Sequence, residues 1–366
     1  MDTSIEPMKS PEELLADEVS DAGVVWICSV ERFRTDSGVY MKKPRAERFV
    51  HPKDQDAKIS VLDHGLLYSM GIFEGINFYT LEGKTGILLL DSHLDRLYDG
   101  AEQLGIKVPI TKDEFWERML EAVARSGLEK GYIRPVLTRG VGNQLGLAAK
   151  CSDPTLFIYV CPPLALFGER EYANGLSVEV SPYARLSVSE INITRLKWLD
   201  YALNAAAKAA AIAKGYDDAI MAVRHPEGWM SGAAYGSEKL EMSRRVISEM
   251  TAGNIFFYKD GILHTPSLEC NCLDGVTRRA VIDAAIENGI TVKEGLFTEK
   301  DLLGADEVFE TGTAAGVIAM TKINGETVGK GYEGEITKYT RKIYEEEVVP
   351  NNLTYVKNKE EKTKLK

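Results

Sequence analysis

Apolar residues fall along this chain in short continuous runs and in amphipathic stretches, separated by turn-forming residues. Val24-Val-Trp-Ile-Cys28 and Gly86-Ile-Leu-Leu-Leu90 are apolar runs of strand length and predict buried strands. Asp91 to Tyr98 and Asp113 to Ser126 repeat the apolar spacing of a helix face, with Asp91 or Ser92 expected as the N-cap of the first. Tyr132 to Thr138 and Thr155 to Cys161 predict further strands. Pro162, Pro163 and Gly168 then break the pattern, and residues 166–174 read as a linker. Beyond it, strands are expected at Leu176 to Val180, Asp218 to Val223 and Asn254 to Tyr258, with a tight turn at Lys259-Asp-Gly261. Leu199 to Lys214 is Ala-rich and stops at Gly215, and Thr277 to Asn288 stops at Gly289, so both predict helices. Val308 to Ala315 reads as a strand entering a turn of small residues, and Ile336 to Glu347 as a last helix.

The alternation of strands and helices, over 366 residues, exceeds what one core organises and implies an α/β (α+β) chain of two domains. The expected division is an acidic extension over 1–22, a small α/β domain over 23–165, a larger domain over 175–350 and a charged tail over 351–366. A net charge of −11 argues against nucleic acid as the main partner. No window resembles a membrane span, and the acidic start lacks the basic and apolar regions of a signal peptide. Five cysteines, an odd number, suit a reducing cytoplasm better than a disulfide framework. Cys270-Asn-Cys272 has no second Cys or His cluster nearby and reads as a loop with two thiols, not a metal site.

Candidate chemistry begins with Lys197, which stands between Leu196 and Trp198-Leu199. Burial there would depress its pKa and free a nucleophilic amine, as Schiff-base chemistry requires. An interfacial lysine laying its stem along an apolar surface is the plainer alternative. Gly275-Val276-Thr277 opens a helix, so free N–H groups and the positive dipole end can receive a phosphate; a simple N-cap at Thr277 is the alternative. Arg96 is either an anion ligand or a surface arginine, and Glu249 either a functional carboxylate or the end of a strand.

The order of motifs decides among these. It runs Asp63-His-Gly65, Phe73-Glu-Gly-Ile76, His93-Leu-Asp-Arg-Leu97, Tyr132-Ile-Arg-Pro135, Lys197, Gly215-Tyr-Asp-Asp-Ala219, Ser248-Glu249, Asn254-Ile-Phe256, His264-Thr-Pro266, Gly275-Val-Thr-Arg278, Ala305-Asp-Glu-Val-Phe309 and Gly312-Thr-Ala-Ala315. The set resembles the fold-type IV pyridoxal-phosphate aminotransferases, which include branched-chain aminotransferases, D-amino acid aminotransferases, (R)-amine transaminases and aminodeoxychorismate lyase. The resemblance spans about Val61 to Glu346. It implies a small N-terminal α/β domain and a larger C-terminal pseudo-barrel domain, with pyridoxal 5′-phosphate as cofactor. Lys197 would carry the Schiff base and be the catalytic residue. Arg96, Val276, Thr277 and Thr313 would hold the phosphate, Glu249 the pyridine nitrogen, and Tyr201 the phenolic oxygen. Tyr201 lies four residues after Lys197, where branched-chain enzymes place their tyrosine five residues on.

For substrate, Tyr68, Phe73 and Tyr132 match the apolar wall of branched-chain enzymes, and Arg134 the site for the distal carboxylate of glutamate. The amides of Thr313 and Ala314 resemble those that hold the substrate's own carboxylate. Arg139 matches instead the carboxylate-binding arginine of D-amino acid enzymes. Asn77 stands where an arginine is usual, Leu166 falls near a usual tyrosine, and 229–248 carries an insertion that reads as a surface loop or a lid. The resemblance implies ping-pong transamination between a hydrophobic branched-chain L-amino acid and 2-oxoglutarate in a cytoplasmic homodimer or larger assembly. D-amino acid, (R)-amine or lyase chemistry on the same fold is the alternative within the family. A retired scaffold protein is the alternative outside it, and the intact Lys197, Arg96, Glu249 and Thr277 argue against that.

Overall fold

The computed structural model describes residues 23–34, 40–147, 150–185, 195–224 and 245–356. Expectations for the 1–22 extension, for most of the 229–248 insertion and for the end of the tail lie outside the described residues.

Two sheets organise the chain. The first is antiparallel throughout. It is built from β1 (Val24–Arg34), β2 (Tyr40–Val50), β3 (Gly71–Phe73), β4 (Ile76–Leu81), β5 (Lys84–Leu88), β6 (Lys130–Gly142) and β7 (Cys151–Cys161). Short helix α1 (His64–Tyr68) precedes β3, and α2 (Leu90–Gln103) and α3 (Lys112–Ser126) contribute to the core of this sheet. Helix α3 shows why the pattern was readable. Thr111 and Glu114 form a reciprocal capping box, Gly127 closes the far end at φ 67, and Phe115, Met119, Ala122 and Val123 are buried on one face. They join Trp26, Phe78, Leu94, Leu97, Ile133 and Ile158 in a single core.

After α4 (Glu169–Asn174), the second sheet takes β8 (Leu176–Arg185), β9 (Asp218–Arg224), β10 (Arg245–Met250), β11 (Asn254–Lys259), β12 (Ile262–Pro266), β13 (Thr291–Gly295), β14 (Glu307–Gly312), β15 (Gly316–Ile323) and β16 (Glu326–Thr327). Its order is β10-β9-β8-β15-β14-β11-β12-β13, parallel at β8–β9, β8–β15 and β12–β13. The segment that follows β13 returns to β10 at the other end of this path. Ile247 N–H donates to the carbonyl of Phe297 at 2.7 Å, and Val246 bridges Thr298. The sheet therefore curls toward closure, as the pseudo-barrel expectation required. Helix α5 (Ala202–Ala213) lies on it with Ala207 and Ala211 fully buried against Ala219 and Met221, small side chains that allow close approach. Helices α6 (Val276–Glu287), α7 (Glu299–Leu303) and α8 (Glu335–Ile343) complete this half.

Two segments cross between the sheets. Phe73 N–H donates to the Lys197 carbonyl at 2.9 Å, and Leu199 N–H donates to the Gly71 carbonyl at 2.9 Å. Residues 197–199 thus lie beside β3 like an added strand. At the C-terminus, α9 (Val349–Asn351) leads into β17 (Leu353–Tyr355), antiparallel to β5 in the first sheet.

Local expectations need correction at four places. Helix α2 is capped by Leu89 in the left-handed region at φ 50, not by Asp91 or Ser92. Those residues lie within its first turn, where Asp91 still favours the dipole. The 166–174 linker contains α4, whose Gly168 N–H is bonded by Glu171 at 2.8 Å. Residues 351–355, read as tail, belong to α9 and β17. Strand β2 was not anticipated, because its charged sequence, Tyr-Met-Lys-Lys-Pro-Arg-Ala-Glu-Arg-Phe-Val, lacks an apolar alternation at the edge of the sheet.

Candidate active site

One cleft gathers Arg96, Lys197, Tyr201, Glu249, Val276, Thr277 and Thr313, together with Thr251, Asn254, Gly275, Thr311 and Gly312. Every residue expected to touch a cofactor therefore lines the same space.

Lys197 is half-buried, its ammonium 4.8 Å from the Phe73 ring centroid and 5.9 Å from that of Tyr201. Burial lowers its pKa to about 8; the Arg96 and Arg134 cations push the same way, while Glu74 and Glu249 oppose them. The amine is thus far easier to deprotonate than an ordinary lysine. Tyr201 stands immediately before α5 and packs edge-on against Phe73 at 5.2 Å. Because it precedes the first helical turn, helical rotation does not carry it out of the cleft. Burial, with Glu249 adding to it, raises the pKa of its hydroxyl.

Glu249 enters from β10. The pairing with β9 shifts between Ile247 and Glu249, and such a bulge re-aims a side chain. One carboxylate oxygen accepts the Leu273 N–H at 2.8 Å, and the other pairs with Arg185. A buried carboxylate needs such partners to remain charged.

Opposite, α6 begins at Gly275 with no side-chain cap. Its first-turn N–H groups and the Thr277 hydroxyl therefore face the cleft as neutral donors. A Cβ at position 275 would sit 2.1 Å from Asn254 Oδ1, so only glycine lets this helix start so close to β11. Asn254 in turn donates to the Leu273 carbonyl at 2.9 Å.

Arg96 approaches the same corner. Its Nη1 donates to the Asp274 carbonyl at 2.8 Å, while Nε and Nη2 grip both oxygens of Glu74 at 2.7 and 2.6 Å. Burial alone would raise the Glu74 pKa, but Arg96 and His93 overcome it and hold the carboxyl well below the usual range. Across the cleft, Asn77 Nδ2 donates to the Thr313 carbonyl at 2.6 Å and to the Tyr79 hydroxyl at 3.0 Å. Asn77, where an arginine was expected, thus fastens the Gly312-Thr313 turn to the first sheet.

The substrate residues divide. Phe73 is buried beside Lys197, and the Arg134 guanidinium lies 4.6 Å from its ring centroid. Arg134 also donates to the Tyr132 hydroxyl at 2.8 Å, so its placement does not pass through Asn77. Ala314 follows Thr313 in the turn without lining the cleft. Tyr68 and Arg139 lie elsewhere. Tyr68 is exposed, stacks edge-on with His64 and donates to the Leu145 carbonyl. Arg139 bonds Met70 through its N–H at 2.8 Å, with its side chain near Cys151. Leu166 packs on the second core.

Sequence reasoning missed Glu74 and Arg185 as partners. Glu74 could have been flagged, because an acid inside the apolar Phe73-Glu-Gly-Ile76 run demands a cation.

The comparison with family models agrees with this geometry, since residues 71–323 match the class IV amino-transferase model. This chain belongs to the class IV aminotransferases. A Methanocaldococcus jannaschii protein provisionally named as a branched-chain-amino-acid aminotransferase is 38% identical over 80% of this chain and 92% of its own. The Pseudomonas aeruginosa branched-chain-amino-acid aminotransferase is 34% identical over 79% and 88%. Among solved structures, the T.th. branched-chain amino acid aminotransferase complexed with N-(5′-phosphopyridoxyl)-L-glutamate is similar at a TM-score of 0.74 and 28% identity. It covers 93% of this chain and all of its own. As a class IV aminotransferase the protein is a transaminase dependent on pyridoxal 5′-phosphate. The donor set fits that group: an amine of lowered pKa, a paired carboxylate at one end, and an uncapped helix start with hydroxyls at the other.

Proposed function

We propose that this aminotransferase moves the amino group of hydrophobic branched-chain L-amino acids to 2-oxoglutarate by a ping-pong cycle. The carrying observation is the placement of Phe73, Tyr132 and Arg134 beside Lys197: an apolar wall with one guanidinium fixed at its end. An apolar pocket that must also take the distal carboxylate of glutamate needs such a cation, since an unpaired buried charge is costly. The names of the relatives, and the L-glutamate adduct bound by the T.th. enzyme, support the same reading.

When bound, pyridoxal 5′-phosphate supplies a ring that withdraws electrons from the substrate Cα. Lys197 Nζ would hold it and, once released, move the proton at Cα as base and then acid. Glu249 would keep the ring nitrogen protonated, with Arg185 holding the carboxylate in place. The first-turn amides of α6, Thr277, Thr313 and Arg96 would hold the phosphate, and Tyr201 the phenolic oxygen. The amides at Thr313 and Ala314 would receive the substrate's own carboxylate.

The proposal includes a homodimer in the cytoplasm. Val61, Leu62, Leu66, Leu145 and Leu147 are 74, 49, 64, 58 and 72% exposed around Tyr68, an apolar surface of the kind that marks a subunit contact. A second subunit would explain why Tyr68 faces outward. The D-amino acid reading rests on Arg139, which lies outside the cleft lining.

A donor panel with 2-oxoglutarate tests the proposal, using L-leucine, L-valine, L-isoleucine, D-alanine and (R)-1-phenylethylamine, alongside Arg134→Leu. The variant should raise KM for 2-oxoglutarate and glutamate about 30-fold or more, the loss of a charged contact, and change KM for leucine little. Equal effects on both, or turnover of D-alanine that depends on Arg139, would overturn it.

A further inference from the structure

Helix α8 does not end as a plain α-helix. It continues into one wider π-turn, Tyr344–Val348, in which the Val349 N–H reaches back five residues to the Tyr344 carbonyl. Such turns recur at functional sites. Tyr344 opens this turn and is 5% exposed, packed among Val281, Val317 and Ile343. Its hydroxyl is buried and, among the described residues, makes no hydrogen bond of ordinary geometry. Phenylalanine would fill the same space without stranding a polar atom, so the hydroxyl costs stability here unless something else uses it.

What it faces is informative. The Tyr344 hydroxyl lies near the Thr277 side chain, with Tyr79 also nearby. Thr277 is the second residue of α6, whose first turn is uncapped, and it lines the cleft. A threonine hydroxyl has one hydrogen to give and lone pairs to accept with. If that hydrogen points into the cleft toward an anion, a lone pair remains for a donor behind it. The other wall is backed in a similar way, because Tyr79 accepts from the Asn77 amide that also holds the Thr313 carbonyl.

We propose that Tyr344 is a positioning residue for the anion cup: its hydroxyl donates to Thr277 Oγ1 from behind and turns the Thr277 hydrogen toward the cofactor phosphate. The inference rests on the placement of that phosphate at Thr277 given above. It assigns a role to the π-turn and makes the orphaned hydroxyl a preformed part of the cup.

The test is binding to the full-length apo-protein, read by tryptophan fluorescence, with pyridoxal 5′-phosphate and with pyridoxal, which lacks the phosphate. Tyr344→Phe should weaken the phosphorylated ligand about five-fold, the value of one net hydrogen bond, and leave pyridoxal unchanged. In a Thr277→Ala background the same change should have no further effect. Thermal unfolding of the apo-protein should show Tyr344→Phe no less stable than wild type, which separates the effect from misfolding. Unchanged affinity for both ligands, or equal weakening of both, would overturn the role of Tyr344. If Thr277→Ala leaves the ratio of the two affinities untouched, the phosphate does not lie at Thr277, and the placement itself fails along with the inference.

Discussion

Glu310 offers a stability test that depends on no assumption about substrate. It lies on β14 at 1% exposure, with one carboxyl oxygen lacking any hydrogen-bond partner among the described residues. Burial, reinforced by the Asp218 charge and only partly offset by Lys208, pushes its pKa up from 4.5 to about 8. The sign follows from proton counting. Between those two values the folded protein keeps a proton on Glu310 that the unfolded chain has lost, so stability falls as pH rises. Each pH unit in that interval is worth about 1.4 kcal/mol, so moving from about pH 5.5 to 7.5 should remove about 3 kcal/mol. Glu310→Gln keeps the shape and cannot ionise. Thermal unfolding across this range should therefore show wild type losing ground to the variant by about 4 °C, using the entropy per residue typical of globular proteins over 366 residues. Above about pH 8 the wild-type carboxylate is charged in the folded and the unfolded chain alike, and the gap should stop growing. Parallel wild-type and variant curves between about pH 5.5 and 7.5 would refute the reasoning, because they would mean Glu310 is already ionised in the fold.

Three further outcomes are expected. Trapping of pyridoxal 5′-phosphate by borohydride should label Lys197, with a yield that rises with pH and half-saturates near about 8; a midpoint near 10.5, or a label on another lysine, would count against its burial and role. Glu249→Gln should retain the cofactor in absorbance spectra yet lose about 100-fold or more in kcat, whereas a loss of a few-fold would show that another group protonates the ring. Glu74→Gln breaks a buried ion pair whose partner Arg96 is nearly as enclosed, and should cost about 3–5 kcal/mol in denaturant unfolding; less than about 1 would mean the pair is replaceable by solvent.

The parts of this fold that sequence exposed are those whose information is local. Helix α3 declares itself through a capping box, a repeating apolar face and a left-handed glycine, all within Thr111 to Gly127. Lys197 stood out because three apolar neighbours surround it in sequence. The failures concern contacts made at long separation. Arg185 and Glu249 are 64 positions apart, and nothing near either residue names the other. Tyr68, expected on the substrate wall, bonds Leu145, 77 positions on, and is exposed in the single chain, a contact that nothing near it in sequence names. Strand β2 was invisible because an edge strand need not bury a regular face. Leu89 was invisible as a cap because a left-handed backbone turn, not a polar side chain, starts α2.

The charge balance of the cleft gives these details a common meaning. Arg96 is neutralised by a two-pronged contact with Glu74, and Arg185 by Glu249. Neither cation has much field left for an anionic ligand. On the placement proposed above, attraction for a phosphate would come largely from neutral donors: the uncapped amides of α6 and the hydroxyls of Thr277 and Thr313. Neutral donors bind well only when their hydrogens already point the right way, since reorienting them costs part of what the contact gains. Such a site needs groups behind it that hold its donors in place: Asn77, which also donates to Tyr79, fixes the Thr313 backbone, and the role proposed for Tyr344 does the same for the Thr277 hydroxyl. Arg134 is different. Among the described residues no carboxylate pairs with it, and its contacts are the neutral Tyr132 hydroxyl and the faces of Phe73 and Tyr132. Its charge remains available beside Lys197, where an amino donor that carries a second carboxylate would need it and a branched apolar side chain would not. On the proposed reading, a single pocket would accept both partners of a transamination cycle by offering a cation that one of them uses and the other merely packs against.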